Sequence, residues 1–119
     1  MPDSGYTIWI KTGDEPLGGT DSNVFIQLFG ENARTESIYL PPEDIFAFEQ
    51  GNTDKFILEA PDLGNLTRCC IGQDATVDSG WYVETVRIRY NPTGKEWVFN
   101  FNRWLGIEEA GSLAACLDL

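Results

Sequence analysis

The sequence predicts an all-β fold, a two-sheet antiparallel sandwich, on two observations. Short runs in which apolar residues alternate with polar ones recur along the chain, and each is bounded by Gly, Pro, Asn or Asp. Alternation sends successive side chains to opposite faces of a strand, so a run that is apolar on one face must bury that face against a second sheet. At 119 residues, 42% hydrophobic and 13% aromatic, the chain is expected to be one domain over residues 1–119 that builds its core without staples.

The runs fall at residues 6–12, 24–29, 35–40, 55–59, 66–71, 81–90 and 95–101. The first two flank a glycine-rich segment from Thr12 to Asp21, and the turn Asn91-Pro92-Thr93-Gly94 joins the last two. Residues 81–90 show the pattern best. Val86, Ile88 and Tyr90 are placed on the inner face together with Tyr82 and Glu84, and Val83, Thr85, Arg87 and Arg89 on the outer one. The long connection is residues 41–53, whose centre from Asp44 to Glu49 suits one helical turn, and the tail from Gly106 to Leu119 supplies either a last strand or a short helix.

Composition removes several functions. The formal net charge of −11, with Lys and Arg scattered along the chain, disfavours nucleic acid, whose phosphates such a surface repels, and favours cations or basic partners. There is no histidine, which removes the commonest general base and the usual zinc and iron ligand, so no enzyme activity is expected. Cys69, Cys70 and Cys116 are odd in number and lack a CxxC spacing, and neighbours in a strand point to opposite faces; all three are read as reduced core residues. No stretch approaches the ~20 apolar residues of a transmembrane span. Met1-Pro2-Asp3-Ser4 lacks the basic start and apolar run of a signal peptide. As it stands the chain is expected to be cytoplasmic or peripheral to a membrane, whereas a domain cut from a longer protein leaves the compartment open. Asn65-Leu66-Thr67 fits a glycosylation sequon, which matters only after secretion.

The candidate site is acidic. Gly13, Gly18 and Gly19 allow tight turns that expose carbonyls, while Asp14, Glu15, Thr20 and Asp21 add side-chain oxygens, the donors that a hard cation such as calcium (Ca2+) requires. If successive strands run up and down, the first, third and fifth connections, residues 13–22, 41–53 and 73–80, emerge at one end of the sandwich. They carry Asp14, Glu15, Asp21, Glu43, Asp44, Glu49, Asp74 and Asp78, and not one Lys or Arg. Carboxylates without a counter-charge repel one another, and a divalent cation relieves that repulsion. A merely solubilising acidic surface is the alternative.

Five ordered segments carry a family resemblance. They are Tyr6-Thr7-Ile8-Trp9-Ile10-Lys11-Thr12-Gly13-Asp14, Gly19-Thr20-Asp21-Ser22-Asn23-Val24-Phe25-Ile26, Phe48-Glu49-Gln50-Gly51-Asn52-Thr53-Asp54-Lys55-Phe56, Asp62-Leu63-Gly64, and Gly80-Trp81-Tyr82-Val83 leading to Phe99-Asn100-Phe101-Asn102-Arg103-Trp104-Leu105. Together they resemble the PLAT domain, also called LH2, of polycystins, lipoxygenases, bacterial alpha-toxins and pancreatic-type lipases. The resemblance implies a β-sandwich of two four-stranded antiparallel sheets. It also implies a non-catalytic recognition domain that docks its host onto membrane lipid or a protein partner, often through calcium.

Carried onto this chain, one ion site falls on Leu17, Gly19, Asp74 and the carbonyl of Ala75. A second draws on Thr20, Asp21, Phe46, Ala47 and Glu49, with Glu43 or Asp44 as the compensating carboxylate, and Asp78 is a further candidate metal ligand. Ala47 stands where several calcium-binding members have aspartate, and Phe46 offers only its carbonyl, so the second ion is expected to bind more weakly. Ile45 and Phe46, with Leu17 and Val77, resemble the membrane-inserting loop tips of related domains. Trp81 and Trp104 lie in the family's core motifs and are assigned to packing.

Two other functions stay open. One is a calcium-stabilised carbohydrate-binding sandwich, using Trp9 and Trp97 as a platform if they share an exposed face. The other is a structural repeat from a PLAT array whose acidic loops receive a partner's basic side chains.

Overall fold

The computed structural model describes residues 5–14, 23–40, 51–73, 81–105 and 114–119. They form β1 (Tyr6–Thr12), β2 (Val24–Gly30), β3 (Ile38–Leu40), β4 (Thr53–Leu58), β5 (Leu66–Gln73), β6 (Trp81–Tyr90), β7 (Lys95–Leu105) and β8 (Ala114–Asp118). One four-stranded sheet runs β4-β1-β6-β7 and the other β3-β2-β5-β8. Every pairing is antiparallel, as expected.

Strand β1 shows how alternation builds the core. Tyr6, Ile8 and Ile10 are wholly buried, whereas Trp9 and Lys11 between them are half-buried on the opposite face. Phe56 of β4 and Val86 and Ile88 of β6 extend this buried row, and Val24, Ile26 and Leu28 of β2 with Cys69 and Ile71 of β5 close it from the second sheet. Each such side chain taken from water contributes on the order of 1.5–3 kcal/mol.

Several features depart from the sequence-based expectations. Strand β3 is only three residues long. Thr35, expected to begin it, still donates its N–H to Leu28 O at 2.9 Å, but its hydroxyl accepts the return bond from Leu28 N at 3.0 Å and donates to Glu36 O at 2.8 Å, so a side chain replaces one of the two backbone bonds of the ladder. In β6 a bulge between Val83 and Thr85 exchanges the faces. Trp81 and Val83 are therefore buried along with Val86 and Ile88, while Tyr82 and Glu84 are half-exposed, the reverse of what a strict period of two predicts. The tail resolves to a strand, because Ala114–Asp118 finds an open edge of β5. The helical turn expected at residues 44–49 lies outside the described residues.

The cysteines need correcting as well. Cys70 and Cys116 stand directly opposite each other across β5 and β8 and form a disulfide. Only Cys69 is the expected reduced core residue: it is wholly buried, and burial pushes its thiol far above the ordinary range, which keeps it protonated and inert. Among the described residues no helix is long and apolar enough to cross a membrane.

The connections 31–37, 59–65 and 91–94 close one end of the sandwich. Leu63 plugs that end, 1% exposed, and its backbone N–H donates to the buried hydroxyl of Tyr6 at 2.9 Å. Burial raises the pKa of that hydroxyl. Replacing Tyr6→Phe removes the acceptor and strands the Leu63 N–H in the core. The expected loss is about 1–3 kcal/mol of unfolding free energy, measured by urea denaturation.

Candidate functional site

The opposite end of the sandwich is set by strand register. In the first sheet Thr12 is paired with Val83, Lys11 with Thr53, and Trp81 with Leu105. In the second, Val24 is paired with both Leu40 and Gln73, and Gly72 with Ala114. Gln73 ties the two sheets together here: wholly buried, it donates its Nε2 to Leu105 O at 2.5 Å.

All the strand ends that border residues 15–22, 41–50, 74–80 and 106–113 therefore lie at one end of the molecule. The sequence predicts three of these connections to meet. The fourth joins them because the tail is a strand of the second sheet, and it adds Glu108 and Glu109. The only advance signal was the tail's ambiguity between strand and helix. The four segments hold nine of the chain's 19 acidic residues and none of its eight Lys and Arg.

The rim is held by backbone bonds between strands. Thr12 N donates to Asn52 O at 2.9 Å, Gly13 N to Tyr82 O at 2.9 Å, and Gly51 N to Gly13 O at 3.2 Å. Beneath them, buried Trp81 donates its indole N–H to Thr12 Oγ1 at 3.0 Å. Gly51 has φ +76°, and a Cβ there would come within 3.3 Å of an Asp14 carboxylate oxygen. This frame carries Asp14 exposed at the rim.

Asp14 is the predicted site carboxylate that falls among the described residues. The predicted metal residues Leu17, Gly19, Thr20, Asp21, Asp44, Phe46, Glu49, Asp74, Ala75 and Asp78 lie outside them, as do the predicted membrane contacts Ile45 and Val77. Among the described residues no group of three or more Cys, Asp or Glu converges on a metal position. The donor chemistry available at this end still fits a hard cation: Asp14 offers oxygen, the chain has no histidine, and its cysteines are either disulfide-bonded or buried.

Trp9 and Trp97 do not share the face that the alternative carbohydrate-binding reading requires. Ile8 pairs with Ile88 and Ile88 with Trp97, so Trp97 lies on the inner side of its sheet, packed against the core. Trp9 pairs with Arg87 and lies on the outer side. Trp104 is half-buried and packs edge-on against Tyr82, with ring centroids 5.3 Å apart. Nor are the cations scattered in space: Lys11, Lys55, Arg87 and Arg89, four of the eight, stand on the outer face of the first sheet.

Gly51→Ala tests the rim. An L side chain in this left-handed conformation costs about 1–2 kcal/mol, and the new methyl presses on Asp14. The expected outcome is a lower thermal midpoint with an unchanged far-ultraviolet spectrum.

The PLAT/LH2 domain family matches residues 6–115 of the chain. Lipoxygenase homology domain-containing protein 1 of Homo sapiens is 41% identical over 101 residues, which cover 84% of this chain and 5% of that protein. Solved structures that share the fold include two lipoxygenases. Coral 8R-lipoxygenase superposes with a TM-score of 0.82 at 23% identity, over 95% of this chain and 16% of its own. A calcium-dependent 11R-lipoxygenase superposes with a TM-score of 0.67 at 26% identity, over 95% of this chain and 17% of its own. The chain thus spans a small part of each protein it matches.

Proposed function

The chain belongs to the PLAT/LH2 domain family, and from that premise we propose that it is a non-catalytic recognition domain which binds calcium at its acidic end and, through it, docks onto membrane lipid or a protein partner. The observation that carries this reading is the gathering of four sets of strand ends around segments rich in carboxylates and devoid of Lys and Arg. Two proteins of the same fold support it in their own descriptions. The coral 8R-lipoxygenase is described as calcium-activated through a C2-like domain, and the 11R-lipoxygenase as calcium-dependent.

In this reading Asp74 supplies a carboxylate to the tighter ion, and Leu17, Gly19 and Ala75 supply carbonyls. The weaker ion draws on Thr20, Asp21, Asp44, Phe46, Glu49 and Asp78, with one charge fewer because position 47 is alanine. Without calcium the carboxylates repel anionic headgroups. With it the local charge falls, and Leu17, Ile45, Phe46 and Val77 enter the interface, each contributing on the order of 1.5–3 kcal/mol if fully buried.

Two measurements test this. Calcium at ~100 times its dissociation constant should add roughly 2.7 kcal/mol of stability to chelator-stripped protein, an increment that Asp74→Ala removes; a thermal midpoint indifferent to calcium would sink the proposal. The double variant Ile45→Asp, Phe46→Asp should lose calcium-dependent co-sedimentation with liposomes while keeping its calcium affinity. Undiminished co-sedimentation would place the lipid contact elsewhere on the domain.

A further inference from the structure

We propose that the outer face of the β4-β1-β6-β7 sheet is a second docking surface, for an acidic segment of a partner protein. Register builds it. Lys55, Trp9, Arg87 and Val98 form one row across the four strands, a span of about 14 Å at ordinary strand spacing. Lys11 stands two residues along from Trp9, and Arg89 two along from Arg87, so both project from the same face. Trp9 is thereby bordered by four cationic side chains. The guanidinium of Arg87 lies over its ring, 4.1 Å from the centroid, which orients that charge. Beside them a shallow cavity of about 180 Å³, lined by Trp9, Lys11, Thr53, Thr85, Arg87 and Val98, has room for an acidic side chain.

Charge selects the partner. Among the described strand residues of this face the carboxylates are Glu84, 3.2 Å from Lys11, and Glu96, 3.9 Å from Arg87. Two anions thus oppose four cations in a chain whose net charge is −11. Lys55 makes no ion pair among the described residues. Like charges crowded on one face are unfavourable until an external anion offsets them. Val98 and Ile57, 45% and 59% exposed, add aliphatic contacts at the margins. The complementary ligand is therefore an extended peptide that alternates carboxylates with aliphatic residues. An anionic bilayer fits less well, because it would meet the repulsion of the whole acidic chain, whereas a short segment meets only the local field.

The test is fluorescence anisotropy of a labelled peptide of alternating Glu and Leu, titrated with the full chain in chelator so that the calcium end is silent. The control peptide carries Gln in place of Glu. The Glu peptide should bind and the Gln peptide should not, and added salt should weaken the complex. Lys55→Glu with Arg89→Glu, both at exposed positions, should weaken binding about tenfold or more while leaving the thermal midpoint unchanged. Equal binding of both peptides, or full binding by the double variant, overturns the proposal. So does adsorption to phosphatidylserine vesicles that the double variant loses while the Glu peptide fails to bind, an outcome that would assign the face to lipid.

Discussion

The pairing of β1 with β6 is the constraint on which the rest of the molecule depends. These strands lie at the middle of their sheet, and their register sets Ile8 against Ile88 and Ile10 against Val86 on the core side. The same register sets Trp9 against Arg87 on the solvent side. A slip of one residue would send isoleucines into water and a stacked cation into the core, so register here is strongly specified. The core and the cationic face are two consequences of one alignment.

That alignment ends in bulges that shape the acidic end. The β1–β6 ladder shifts between Lys11 and Thr12, and the β6–β7 ladder between Val83 and Thr85. The extra residue turns Trp81 and Val83 inward, and Trp81 reaches the hydroxyl of Thr12. A fully buried aromatic thus anchors the strand ends from which the acidic connections depart, giving them a rigid base. The other sheet shifts at its far end, between Phe29 and Gly30, where the backbone of Leu63 leaves no room for a Cβ on Gly30.

Charge is divided by the same architecture. Acidic residues concentrate in connections at one end, while half of the Lys and Arg line the outer face of one sheet, where Trp9 and the exposed aliphatics accompany them. A domain so divided presents two regions of opposite charge.

The strands and the family were legible in the sequence because alternation and short motifs such as Gly19-Thr20-Asp21 are properties of neighbouring residues. The acidic character of three connections was legible for the same reason. The disulfide between Cys70 and Cys116, the inward turn of Val83, the separation of Trp9 from Trp97 and the fourth acidic connection were not. Each follows from which residues far apart in the chain come to lie side by side, and from bulges that shift a strand's faces partway along its length. Local periodicity fixes which residues share a face of one strand; only the paired sheets decide which faces become core, and what stands next to what on those that do not.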